Sequence, residues 1–136
     1  MIRDKRKTLN RALLYSYQSA FVKKVFREDQ TPMDGEEDLI CRALINPDKL
    51  KMDYDDKILS IGFEHGFKPG DILEWLNTGT YWIIRLQDLD ELAYFRGDIR
   101  RCNYTIAWED SEGNVHRTYA AIRGPVETKI NYIQKH

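Results

Sequence analysis

Three histidines, two cysteines and one carboxylate–lysine spacing are the groups in this sequence that could support covalent or metal chemistry. His65 follows Glu64 in a turn, His116 lies in a strand-like run, and His136 is the final residue. None has a Ser, Cys or Asp at a recognised nucleophile spacing. There is no HExxH, HxH or paired-cysteine pattern to hold a metal ion, no GxxxxGK[ST] loop, and no GxGxxG opening a helix after a strand. Cys41 and Cys102 fall in segments of different type without CxxC spacing, so they are read as small buried apolar residues, neither bridged nor ligating. The remaining constellation is Glu127-Thr128-Lys129, with Asp98 or Asp110 upstream as a second carboxylate. Two carboxylates can hold a divalent cation while a lysine orients the attacking water. An alternating strand, however, places Glu and Lys two apart by chance, and here the flanks are turns of an all-β run rather than a core helix. The reading is a non-enzymatic chain with no catalytic residues, no cofactor and no metal.

Binding chemistry has a stronger basis. Arg96, Arg100 and Arg101 lie close in sequence to Tyr94 and Phe95, and a small barrel presenting aromatics beside arginines can stack bases and neutralise phosphates. These five residues are the candidate contact set for a single-stranded nucleic acid, the alternative function. Asp88, Asp90, Glu91 and Asp98 flank the arginines closely enough to pair with them instead.

The elements that must position these groups are set by composition and pattern. At 136 residues and 42% hydrophobic, with 16 aromatics, the chain can bury one modest core without disulfides or metals. No apolar run approaches the roughly 20 residues of a membrane helix, and the first residues lack a secretory signal pattern, so an intracellular protein without membrane contact is expected. A net charge of -1 conceals an asymmetry: residues 1–27 carry eight basic groups against one acidic, residues 28–56 ten acidic against three basic, and residues 57–136 are nearly balanced. The three stretches read as a basic helical arm, an acidic linker and a β-barrel domain.

Between Thr8 and Phe26 there is no proline or glycine, and Leu14, Tyr17, Phe21 and Val25 recur at spacings of three and four. That spacing predicts an amphipathic helix whose aromatic stripe docks on its own domain or on a neighbouring subunit. These four residues are the candidate self-assembly surface. In the linker, residues 34–44 could form a short helix, or Asp38 to Leu44 an edge strand, before Pro47.

From Lys57 onward short alternating runs separated by turns predict a small antiparallel barrel or sandwich, SH3-like in type, of about six strands. Lys57 to Ile61 is the first run. Phe67 to Trp75 holds a turn and a second strand, and Asn77 to Thr80 turns into Tyr81–Gln87. Gly97 suggests a bulge or corner, and Cys102, Tyr104, Ile106 and Trp108 alternate along a half-buried strand with Tyr104 on the inward side. Asp110 to Asn114 forms a hairpin loop into residues 115–122, and Gly124-Pro125 breaks the chain before a last strand that runs almost to His136 and leaves an open edge.

Four phrases, FKPGDILEW, YWIIRLQD, AYFRGDIRRCNYTIAW and AAIRGPVETKI, resemble virion structural proteins of tailed bacteriophages. They are similar in character to head-tail connector proteins, in particular the head-closure or stopper group, over about Ala43 to His136. The resemblance implies a small β-barrel subunit in a homo-oligomeric ring at the portal vertex, beside portal or adaptor and tail proteins, lining or closing the channel for genomic DNA. It implies a place in the virion after assembly in the host cytoplasm, and it carries no catalytic residues. A decoration or tail-associated protein fits the open final strand as well.

Overall fold

The structure, a computed structural model, describes residues 5–9, 19–27, 40–47, 54–122 and 132–135. Its chain is mainly β. Strands β1 (Ser19–Phe26), β2 (Cys41–Pro47), β3 (Asp56–Ile61), β4 (Ile72–Trp75), β5 (Thr80–Gln87) and β6 (Phe95–Arg101) close an antiparallel barrel in the order β1-β2-β3-β6-β5-β4, with β4 pairing back onto β1. Strands β7 (Tyr104–Glu109), β8 (Val115–Ala120) and β9 (Tyr132–Lys135) form a separate sheet in the order β8-β7-β9.

Period-two alternation explains the barrel. Ala20 and Val22, then Ala43 and Ile45, Leu59 and Ile61, Leu73, Trp82 and Ile84, and Phe95 and Ile99 are all buried and form one cluster, while the residues between them face outward. Each large apolar side chain in that cluster contributes on the order of 1.5–3 kcal/mol by leaving water. The small residues matter as much, because a barrel this narrow has room for few large ones. A Cβ on Gly97 would lie 2.6 Å from the Phe95 ring and 3.0 Å from the Leu86 carbonyl oxygen. That position is therefore glycine for space, not for backbone freedom. The irregularity expected at Gly97 falls on the partner strand: pairing jumps from Ile84↔Ile99 to Leu86↔Asp98, leaving Arg85 as the extra residue.

The helix expected from Thr8 to Phe26 is corrected by strand β1. A short helix, α1, covers residues 5–9, and Ser19–Phe26 is extended. Ala20 and Val22 alternate as a strand should, and the segment is rich in β-branched and aromatic side chains. As a strand its backbone pairs with β2 on one side and β4 on the other, which closes the barrel. A bulge at Val25, between Lys24↔Leu73 and Phe26↔Ile72, fits the strand to its curvature. The barrel thus takes its first two strands from segments read in sequence as arm and linker. Strand β2 is not an edge but lies between β1 and β3.

Two polar devices fasten this frame. Lys24, in the same alternation as the buried Ala20 and Val22, meets the fully buried Asp71 at 3.0 Å and donates to the Gly66 carbonyl at 2.9 Å. The β7-β8-β9 sheet is joined to the barrel through Tyr119, which stacks on Tyr81 at 3.9 Å between centroids and meets Phe26 edge-on at 6.0 Å. The Tyr119 hydroxyl contact and burial raise the Tyr81 phenol above its ordinary range. Asn103, just before β7, is tied to the segment after β8, its side-chain amide donating to the Ile122 carbonyl and its oxygen accepting from the Ile122 N–H.

Candidate functional site

Among the described residues, the exposed leucines are Leu86 near the end of β5 and Leu89 and Leu92 in the β5–β6 connection. Leu86 is 61%, Leu89 77% and Leu92 62% exposed, in a segment that also contains Asp88, Asp90 and Glu91. The acidic side chains fold the loop. Asp88 accepts from the Asp90 N–H at 3.1 Å and from Arg96 at 3.3 Å, and the Asp88 N–H donates to the Arg96 carbonyl at 2.8 Å. Glu91 accepts from the Ala93 N–H at 3.2 Å and from Lys5 at 3.2 Å, and these contacts, the first foremost, hold its carboxyl below the usual range. Arg6 donates to the Ala93 carbonyl at 3.1 Å, so α1 clasps the loop with two side chains. With the polar groups engaged in shaping the turn, the leucines are left to the outside.

Beside this loop, a groove of about 940 Å3 runs over the outer faces of β2, β3 and β6, with Leu9 of α1 on one wall. Leu44, Ile58 and Leu86 are among its apolar lining residues, and Tyr94, Arg96 and Asp98 line it as well. A second cluster lies around Asp56, which is 1% exposed. Arg100 Nη1 is 3.0 Å from both carboxylate oxygens, and Arg85 Nη1 is 3.4 Å from Oδ1.

The residues expected in sequence are dispersed. Of the nucleic-acid set, Tyr94 and Arg96 share the groove, with Arg96 paired to Asp88 as the flanking acids suggested. Phe95 is 1% exposed inside the barrel, so no base can stack on it, and that assignment is corrected. Arg100 belongs to the Asp56 cluster, and Arg101 is exposed at the barrel rim opposite Trp82. The five do not form one surface. Of the self-assembly set, Leu14 and Tyr17 lie outside the described residues. Phe21 is 38% exposed on the barrel wall beneath the Arg42 guanidinium, 5.4 Å from its ring centroid, and Val25 is half-buried in the bulge. The helical stripe joining Phe21 to Val25 is therefore replaced by strand geometry.

Of the candidate chemical groups, Glu127, Lys129 and His136 lie outside the described residues. Asp98 lines the groove, and His65 stands 3.6 Å from Glu64. His116 is 2.8 Å from Asp110 and stacks on Trp108. Asp110 also accepts from the Glu112 and Asn114 N–H groups, and these bonds, His116 first, draw its carboxyl down to about 2. Cys41 and Cys102 are free and buried, and burial pushes the Cys102 thiol up to about 12. Among the described residues no group of three His, Cys, Asp or Glu is placed to hold a metal ion, and no helix is long and apolar enough to cross a membrane.

Comparison with protein-family models, curated proteins and solved structures finds no match to this chain.

Proposed function

We propose that this chain is a non-enzymatic structural subunit of a bacteriophage particle, a head-tail connector of the head-closure type, and that the β5–β6 loop is a contact surface for its neighbours. The observation that carries the reading is the loop itself: Leu89 and Leu92 exposed on it and Leu86 exposed just before it in β5, with Glu91 bonded to α1 and Asp88 to Arg96. A loop held in shape by its own polar groups loses little entropy when it binds, and three leucines presented together form a patch that another protein can bury. Its base is the closed barrel, which this reading assigns to the SH3-like class expected of connector subunits.

The resemblance that suggested a connector is the second support for this reading: its phrases from FKPGDILEW to AYFRGDIRRCNYTIAW fall on β4 to β7 and flank the loop, one ending at Asp88 and the next beginning at Ala93. Repeated around a rotation axis, a loop-to-neighbour contact of modest strength closes into a stable ring.

The test is an image of the particle carrying a tagged copy of the protein. A ring of density at the portal vertex is the expected result. Density spread over the capsid faces would make it a decoration protein, and absence of the tag from purified particles would overturn the reading.

A further inference from the structure

We propose that the space between the barrel and the β7-β8-β9 sheet is a binding site for a small amphipathic carboxylate, with Arg85 as the residue that recognises its head group. The cavity has a volume of about 560 Å3, within the range of small-ligand sites. Ile72 and Ile83 from the barrel, Ile106 from β7 and Ala120 at the end of β8 give it apolar walls, and Arg85 and Arg100 are its charged residues. Among the described residues, none that lines it is acidic.

The two guanidiniums are not equivalent. Arg100 Nη1 meets both oxygens of Asp56 at 3.0 Å and its side chain is 13% exposed. Arg85 reaches the same carboxylate only at 3.4 Å and its side chain is 40% exposed. With the Asp56 charge met by Arg100, Arg85 keeps a weak contact that it can give up for a better one.

Arg85 owes this position to the β5 bulge, where it is the residue without a partner in the β5–β6 register. A guanidinium is a planar fork that matches a carboxylate with two parallel hydrogen bonds, and it does so best where water is partly excluded. Apart from Thr118 and Tyr119, the walls beyond it are glycine, alanine and isoleucine, so the complementary ligand is a carboxylate with an aliphatic or aromatic tail.

Calorimetric titration of the full chain with decanoate, decanol and inorganic phosphate tests this. Saturable one-to-one binding of decanoate is expected, at least tenfold tighter than either decanol or phosphate. Arg85→Gln should weaken decanoate at least tenfold while leaving decanol unchanged. Ala121→Trp, which retains Arg85 but fills the cavity wall, should abolish decanoate binding with the melting transition preserved, so the site remains testable if Arg85→Gln does not fold. No saturable decanoate binding, equal binding of decanoate and decanol, equal binding of phosphate and decanoate, or undiminished binding in a folded variant would each overturn the proposal.

Discussion

Asp56, ion-paired to Arg100, and Asp110, hydrogen-bonded to His116, are both engaged carboxylates, but burial gives them different weight. Asp56 is 1% exposed and faces Arg100, itself largely buried, so Asp56→Ala leaves the guanidinium without this partner in a place where water reaches it poorly. A loss of about 3 kcal/mol in denaturant unfolding is expected, and a loss under about 1 kcal/mol would show the pair to be dispensable. Asp110 sits on an exposed hairpin, where it shapes the turn more than it stabilises the whole. Its carboxyl is lowered from 3.8 to about 2, so its contribution is complete above the ordinary value and is lost as pH falls through about 2. Amide exchange at Glu112 and Asn114 should accelerate selectively as pH falls from 4 to 2, once corrected for intrinsic rates. It should accelerate already at neutral pH in Asp110→Ala, with exchange in the barrel core unchanged.

At the scale of elements, the fit of β6 against β5 depends on Gly97. A methyl group there meets the Phe95 ring and the Leu86 carbonyl, neither of which can retreat without disturbing the core, so Gly97→Ala should destabilise by about 1–3 kcal/mol, read as a lower melting midpoint. Of the strands from Lys57 onward, β3, β4, β5 and β8 were legible because each is a short run ended by a turn of recognisable chemistry, such as Asn77 to Thr80 or Asp110 to Asn114, whereas the parting of β6 in the barrel from β7 in a separate sheet was not. Strand β1 was not. Leu14, Tyr17, Phe21 and Val25 satisfy a helical period, while the competing alternation of Ala20 and Val22 is brief, and the bulge at Val25 breaks it. What decides between the two patterns is pairing with β2 and β4, a tertiary term absent from local sequence. The burial of Phe95 could have been found, because Phe95, Gly97 and Ile99 keep the period of two that marks an inward face.

On the scale of the whole molecule, the candidate surface was the least legible feature. DLDEL reads as a polar turn, and only the geometry separates Asp88 and Glu91, bonded to Arg96, Lys5 and the loop backbone, from its leucines, which are exposed. Phe21, on the barrel wall under Arg42, remains a second candidate for contact, and Phe21→Asp should leave the melting transition intact, since the side chain is already 38% exposed. The claim on which the account depends is that the leucine loop joins one subunit to the next. Sedimentation velocity of the wild-type protein and of the double variant Leu89→Asp, Leu92→Asp, each alone and with the other components of the particle junction, tests it most directly. Wild-type protein should form a defined higher-order species, and the double variant should remain a folded monomer with an unchanged melting midpoint. A wild-type protein that stays monomeric under every condition, or a double variant that assembles as the wild type does, would contradict it.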